Sequence, residues 1–74
     1  MGKQEYLSAG RFAALVGTTK ETLFHYDEIG LFHPEYINEK GYRFYSINQL
    51  DILNTILVLR DLDMPLKEIQ TYVS

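Results

Sequence analysis

The sequence predicts a mainly α fold, a winged helix-turn-helix with about four helices and a short β-hairpin wing. Three observations carry that prediction. Gly17-Thr18-Thr19 separates two short segments whose apolar residues recur at helical spacing, as the turn of a helix-turn-helix would. Two short β-rich runs, Glu35-Tyr36-Ile37 and Tyr42 to Tyr45, flank a Gly-containing turn at Asn38-Glu39-Lys40-Gly41. Ser46-x-x-Gln49 then matches a capping box and opens the longest helical pattern of the chain.

The elements follow in order. Tyr6-Leu7-Ser8 reads as a short extended lead-in, and Gly10 through Val16 as a helix with Phe12, Ala13, Leu15 and Val16 as its apolar contacts. Gly17 suits the left-handed residue that ends it. Thr18 or Thr19 caps the second helix, with Thr18-x-x-Glu21 matching a capping box. That helix runs to about Ile29 with Leu23 and Tyr26 inward; Gly30 closes it and Pro34 prevents its resumption. The third helix, Ile47 to Leu62, has a broad stripe through Leu50, Leu53, Ile56 and Leu57, widened by Ile52 and Val58 to contact on more than one side. Asp63-Met64-Pro65 breaks it, and Pro65 suits the first turn of a final helix carrying Leu66, Ile69, Tyr72 and Val73. The chain stops at Ser74 without a closing signal, so it is expected to be a fragment.

Seventy-four residues, 46% apolar and with six tyrosines and four phenylalanines, make one small domain spanning 1–74. No apolar run approaches the roughly 20 residues needed to cross a membrane, and no signal peptide opens the chain, which fits a cytoplasmic protein. The absence of cysteine excludes disulfides and thiolate metal sites. His25 and His33 alone are too few for zinc, and nothing implies a cofactor. Asp27 and Glu28 look like paired carboxylates, but neighbours on a helix diverge by roughly 100°, so they face no common site. Asp27 instead reads as a structural partner for a basic side chain. No catalytic residue is expected.

Function is legible in the hairpin. Alternation puts Tyr42 and Phe44 on one face, able to bury aromatic rings, and Arg43 and Tyr45 on the other, offering a guanidinium and a phenol to a polyanion. Beside a helix-turn-helix, this is the layout of a reader of duplex DNA, with the second helix in the major groove and the wing on the backbone. The net charge of −3 opposes that reading globally. The basic residues Lys3, Arg11, Lys20, Lys40, Arg43, Arg60 and Lys67 are scattered, so only folding can gather them on one face, and weak, salt-sensitive binding is predicted.

The segments Thr22-Leu23-Phe24-His25-Tyr26-Asp27, Ile29-Gly30-Leu31-Phe32-x-Pro34, Gly41-Tyr42-Arg43-Phe44-Tyr45-Ser46, Leu59-Arg60-Asp61-Leu62 and Leu66-Lys67-Glu68-Ile69 occur in one order and spacing. Together they resemble the amino-terminal DNA-binding domain of the MerR family of bacterial transcription regulators, over almost the whole chain. Tyr36, where many members have arginine, looks more like the multidrug-responsive branch. The resemblance implies a homodimer on a pseudo-palindromic promoter, distorting it so that RNA polymerase engages both promoter elements. The long dimerising helix and effector domain of that family are absent here, and this fragment is expected to be monomeric. Phe24 and His25 stand where the family usually has arginine and tyrosine, Glu28 where a basic residue is common, and Asp63 where glycine is usual. Phe24 would pack on sugar or a thymine methyl group.

Each candidate DNA contact has a plainer alternative. Arg43 suits a phosphate, or pairs with Asp27 or Glu28. Tyr42 meets DNA or braces the second helix; Tyr26 aims its hydroxyl at a phosphate or is satisfied within the core. Thr18, Thr19 and Lys20 stand at the amino end of the recognition helix, where phosphates and base edges are met, or act as caps and a solvated charge. His25 faces outward to a groove. Lys40 lies at the wing tip, and Arg60 reaches a phosphate from the third helix or pairs with nearby acids. Two rival functions stay open: an architectural DNA-binding protein of excisionase type, and a protein-interaction module that has lost DNA binding.

Overall fold

A computed structural model describes residues 5–74. Lys3 lies outside them. Strand β1 (Tyr6–Ser8) leads into α1 (Ala9–Leu15), followed by α2 (Lys20–Glu28), β2 (Tyr36–Ile37) and β3 (Arg43–Ser46). A 3-10 turn at Ile47–Gln49 runs into α3 (Leu50–Asp61), and α4 (Leu66–Val73) completes the order. No helix of the described residues is long and apolar enough to cross a membrane.

The hairpin belongs to a three-stranded antiparallel sheet in the order β1-β3-β2. The lead-in at Tyr6–Ser8 is therefore a strand, its Leu7 opposite Tyr45, while Tyr36 and Ile37 pair with Phe44 and Arg43 from the other side. Asn38 shapes the wing turn: its side-chain oxygen accepts the backbone N–H groups of Lys40 and Tyr42, both at 2.9 Å. Gly41 takes φ +85°, a region that L side chains enter only at a cost.

The expected faces of β3 are corrected. Tyr45 is fully buried, whereas Tyr42 is 62% exposed. Tyr45 lies in an aromatic stack, 4.9 Å from Phe12 and 5.7 Å from Phe32 between ring centroids. The face of Arg43 and Tyr45 is thus the inward one, toward the helices. The opposite face carries a smaller aromatic set, Tyr6 edge-on to Tyr36 and Tyr36 stacked on Phe44.

Three helices end alike. After α1, α2 and α3 the chain closes with paired backbone bonds of the Schellman type: Thr18 to Ala13 and Gly17 to Ala14, Leu31 to Tyr26 and Gly30 to Asp27, Met64 to Leu59 and Asp63 to Arg60. The left-handed residue is glycine at 17 and 30, but Asp63 at the third, with φ 66°. Because Thr18 serves the end of α1, Thr19 caps α2, its hydroxyl oxygen accepting the Thr22 N–H at 3.2 Å. The capping box expected from Thr18 to Glu21 is therefore replaced by a single side-chain cap at Thr19. The box at Ser46 holds, with Gln49 Oε1 accepting the Ser46 N–H at 3.0 Å. It opens the 3-10 turn, so α3 proper starts at Leu50, later than Ile47.

The core gathers Phe12, Leu23, Tyr26, Tyr45, Leu53, Ile56 and Ile69. Within α3 only Leu53 and Ile56 are fully covered. The wider contact expected there is absent among the described residues, since Ile52 and Val58 are exposed. Gln70 of α4 donates to the Gly30 carbonyl at 2.9 Å and Gln49 to the His33 carbonyl at 2.7 Å, holding the loop between α2 and the wing.

Candidate nucleic-acid interface

The side chains of α2 divide by helical spacing. Leu23 and Tyr26 turn into the core, while Thr22 and the edge of Tyr26, with Thr18 from the preceding turn, approach α3 on one flank and Lys20 and Phe24 approach the wing on the other. Each flank bounds a shallow cleft. The first is lined by Gly17, Thr18, Thr22, Tyr26, Arg60 and Asp61, the second by Lys20, Phe24, Gly41, Tyr42, Arg43 and Phe44. The scattered basic residues are thereby partly gathered: Arg60 beside one flank of α2, Lys20 and Arg43 beside the other.

Thr18, Tyr26 and Arg60 share the first cleft, although Tyr26 is 97% covered and reaches it only at its edge. Thr19, Lys20 and His25 are exposed on α2, and Lys40 is exposed at the wing turn, apart from both clefts. Tyr42 and Arg43 share the second cleft with Lys20. Thr22 was not among the expected contacts. It lines the first cleft, its hydroxyl 3.0 Å from that of Thr19, and its place four residues before Tyr26 on one helix was the signal that could have found it.

The wing is tied to α2 by charge. Arg43 Nε donates to Asp27 Oδ2 at 2.8 Å, and His33 Nδ1 donates to Asp27 Oδ1 at 2.7 Å. Burial works to raise the Asp27 pKa. The hydrogen bonds and charges of Arg43 and His33 outweigh it and hold that carboxyl below its ordinary value. Asp27 is thus the structural partner its position suggested. The Arg43 guanidinium also lies over the Phe24 ring, 4.6 Å from its centroid, so Phe24 faces the wing.

Comparison with known proteins agrees with this architecture. Residues 7–74 match the family described as MerR HTH family regulatory protein. The chain is 46% identical over 70 residues to the multidrug-efflux transporter 2 regulator of Bacillus subtilis, covering 95% of this chain and 26% of that protein. It is 45% identical over 62 residues to the transcriptional activator TipA of Streptomyces coelicolor, covering 84% and 24%. A MerR family regulator from Bacillus cereus superposes with a TM-score of 0.84 at 30% identity, over 93% of this chain and 52% of that one. HiNmlR, a MerR family regulator lacking the sensor domain and solved bound to promoter DNA, gives 0.82 at 26% identity, again over 93% and 52%. The chain spans about a quarter of the length of these curated relatives and about half of the solved chains. With residues 7–74 of its 74 matched to that family, the chain belongs to the MerR family of helix-turn-helix regulatory proteins.

Proposed function

We propose that this chain binds promoter duplex DNA sequence-specifically in transcription control, with α2 in the major groove and the β2–β3 wing on the flanking backbone. The observation that carries the reading is the pair of clefts astride α2, one bringing Lys20 and Arg43 together and the other Thr18, Tyr26 and Arg60. Phosphates flanking a groove lie on both sides of an inserted helix, so basic and hydroxyl groups on both flanks fit that docking. Thr19 and Lys20 at the amino end of α2, with His25 farther along, are then placed for base edges or nearby phosphates, and Lys40 and Tyr42 extend the wing contact. Similarity to a multidrug-efflux regulator and to a family member bound to promoter DNA supports the same reading. The longer regulator works as a homodimer with RNA polymerase at the promoter, in the cytoplasm and without catalysis, while the chain alone is a monomer with low affinity.

Arg43→Ala tests the wing. Neutralising one fewer phosphate per protomer should lower the slope of log affinity against log salt by about 1.8 in a dimer and weaken operator and unrelated DNA alike. Lys20→Ala or His25→Ala should instead change which operator bases are preferred. Measured by mobility shift on a coiled-coil-dimerised fusion at low salt, an unchanged slope for Arg43→Ala would remove the wing from the interface. The protein-interaction module would then become the better account.

A further inference from the structure

Arg43 is restrained on two sides before any ligand arrives. Its Nε edge is bound to Asp27 at 2.8 Å, and its carbon centre sits 4.6 Å above the Phe24 ring. Asp27 is itself restrained by His33 at 2.7 Å and is only 17% exposed. Phe24 and Asp27 lie three residues apart on α2, which brings both toward the inward face of β3 from which Arg43 extends. The bond to Asp27 uses Nε alone and leaves the two terminal amino groups outside it. Arg43, Phe24, Lys20 and Tyr42 line one cleft, and the Arg43 side chain keeps 31% of its surface exposed, so the guanidinium is not sealed in its salt bridge.

We infer that Asp27 and Phe24 are positioning residues that hold the Arg43 guanidinium in place for a DNA phosphodiester, the carboxylate at its Nε and the ring against its face. The inference rests on the proposed DNA-binding reading and deepens it. An unrestrained arginine loses rotamer freedom on gripping a phosphate; here much of that loss is taken on folding. The planar fork keeps its terminal donors for the two oxygens of a phosphate. The consequence runs against charge counting. A carboxylate near DNA should repel it, so removing one should tighten binding; here Asp27 aids binding as long as Arg43 is present.

The test uses the 74-residue chain and a fluorescently labelled mixed-sequence DNA duplex at low salt, read by anisotropy. Arg43→Ala should weaken binding about tenfold, the loss of one charge-assisted contact. Phe24→Leu, which keeps apolar bulk and removes the ring face, should weaken it about threefold, and should add nothing in the Arg43→Ala background. Asp27→Asn should weaken the wild type yet strengthen Arg43→Ala, where the carboxylate is only a repelling charge. In the free chain, the Arg43 Nε–H resonance should be resolved by NMR and should broaden or move in Asp27→Asn, a readout independent of DNA. Equal Phe24→Leu costs in both backgrounds, or tighter binding by Asp27→Asn alone, would overturn the positioning role while leaving DNA binding intact. A wild-type chain that binds duplex DNA at low salt neither alone nor as the coiled-coil-dimerised fusion would overturn the functional reading, and this inference with it.

Discussion

Tyr45→Phe should stabilise this domain. Tyr45 is fully buried against Phe12 and Phe32, and its hydroxyl oxygen has no hydrogen-bond partner among the described residues. A buried polar group without a partner costs about 1–3 kcal/mol, its desolvation penalty. Phenylalanine keeps the ring and its stacking and forfeits only the contacts of one oxygen atom, so the net gain should be about 1 kcal/mol. In a domain of this size that raises the melting temperature by about 4–8 °C. Urea unfolding followed by circular dichroism at neutral pH measures it directly. Alkaline pH supplies a second arm, because burial foremost, with the charge of Asp27 adding and that of Arg43 opposing, pushes the phenol up to about 12. A folded pKa raised above the unfolded value of 10.0 gives a contribution complete below pH 10 and lost as pH climbs toward 12. The wild type should therefore fall behind Tyr45→Phe by a further ~1.4 kcal/mol per pH unit across that window. A destabilised Tyr45→Phe at neutral pH would refute the reasoning, since it would mean the hydroxyl is satisfied by an internal water or an unrecognised acceptor.

Three other substitutions check separate parts of the fold. Ser46→Ala should cost about 0.5–2 kcal/mol in urea unfolding, since the buried Ser46 opens the segment leading into α3 and its hydroxyl donates to Glu35 at 3.4 Å; an unmoved midpoint would show that α3 is fixed elsewhere. Asp63→Gly should gain about 0.5–1 kcal/mol by relieving the left-handed backbone at φ 66° and removing an acid from the carboxyl end of α3, with the thermal midpoint as the readout. Asp27→Asn should flatten the acid limb of stability: a carboxyl held below its ordinary value of 3.8 contributes fully above that pH, and the contribution is lost as pH falls through the folded value. Parallel acid-unfolding curves for Asp27→Asn and wild type would remove the Arg43 and His33 pairs from the stability of the folded state.

What the sequence made legible was chiefly local chemistry. Gly17 and Gly30 announced helix ends because each end needs one left-handed residue, and Ser46 with Gln49 announced a helix start because both partners of the box lie within one turn. The cap at Thr19 rather than Thr18 was hidden by a competition: Thr18 gives its N–H to Ala13, so the residue that begins the second helix is the one left over from ending the first. The faces of β3 were misread for a different reason. Alternation shows which residues share a face, but not which face is inward, and that is decided by Phe12 and Phe32, whose rings arrive from elsewhere in the chain to cover Tyr45. The segment Tyr6–Ser8 was legible as extended, but its place in the sheet is equally non-local, since β3 supplies its partner.

The candidate interface shows the same division. Residue type and position singled out Arg43, Lys20 and Arg60, but a net charge of −3 could not reveal that folding would place them on opposite flanks of one helix. Nor does composition show that the Arg43 face is the inward one. That inward turn brings the guanidinium within reach of Asp27 and Phe24. A wing arginine on the outer face would have met solvent, mobile and fully hydrated. The error in assigning the faces and the restraint on Arg43 therefore have one origin: the tertiary packing that buries Tyr45 turns its neighbour two residues earlier toward α2.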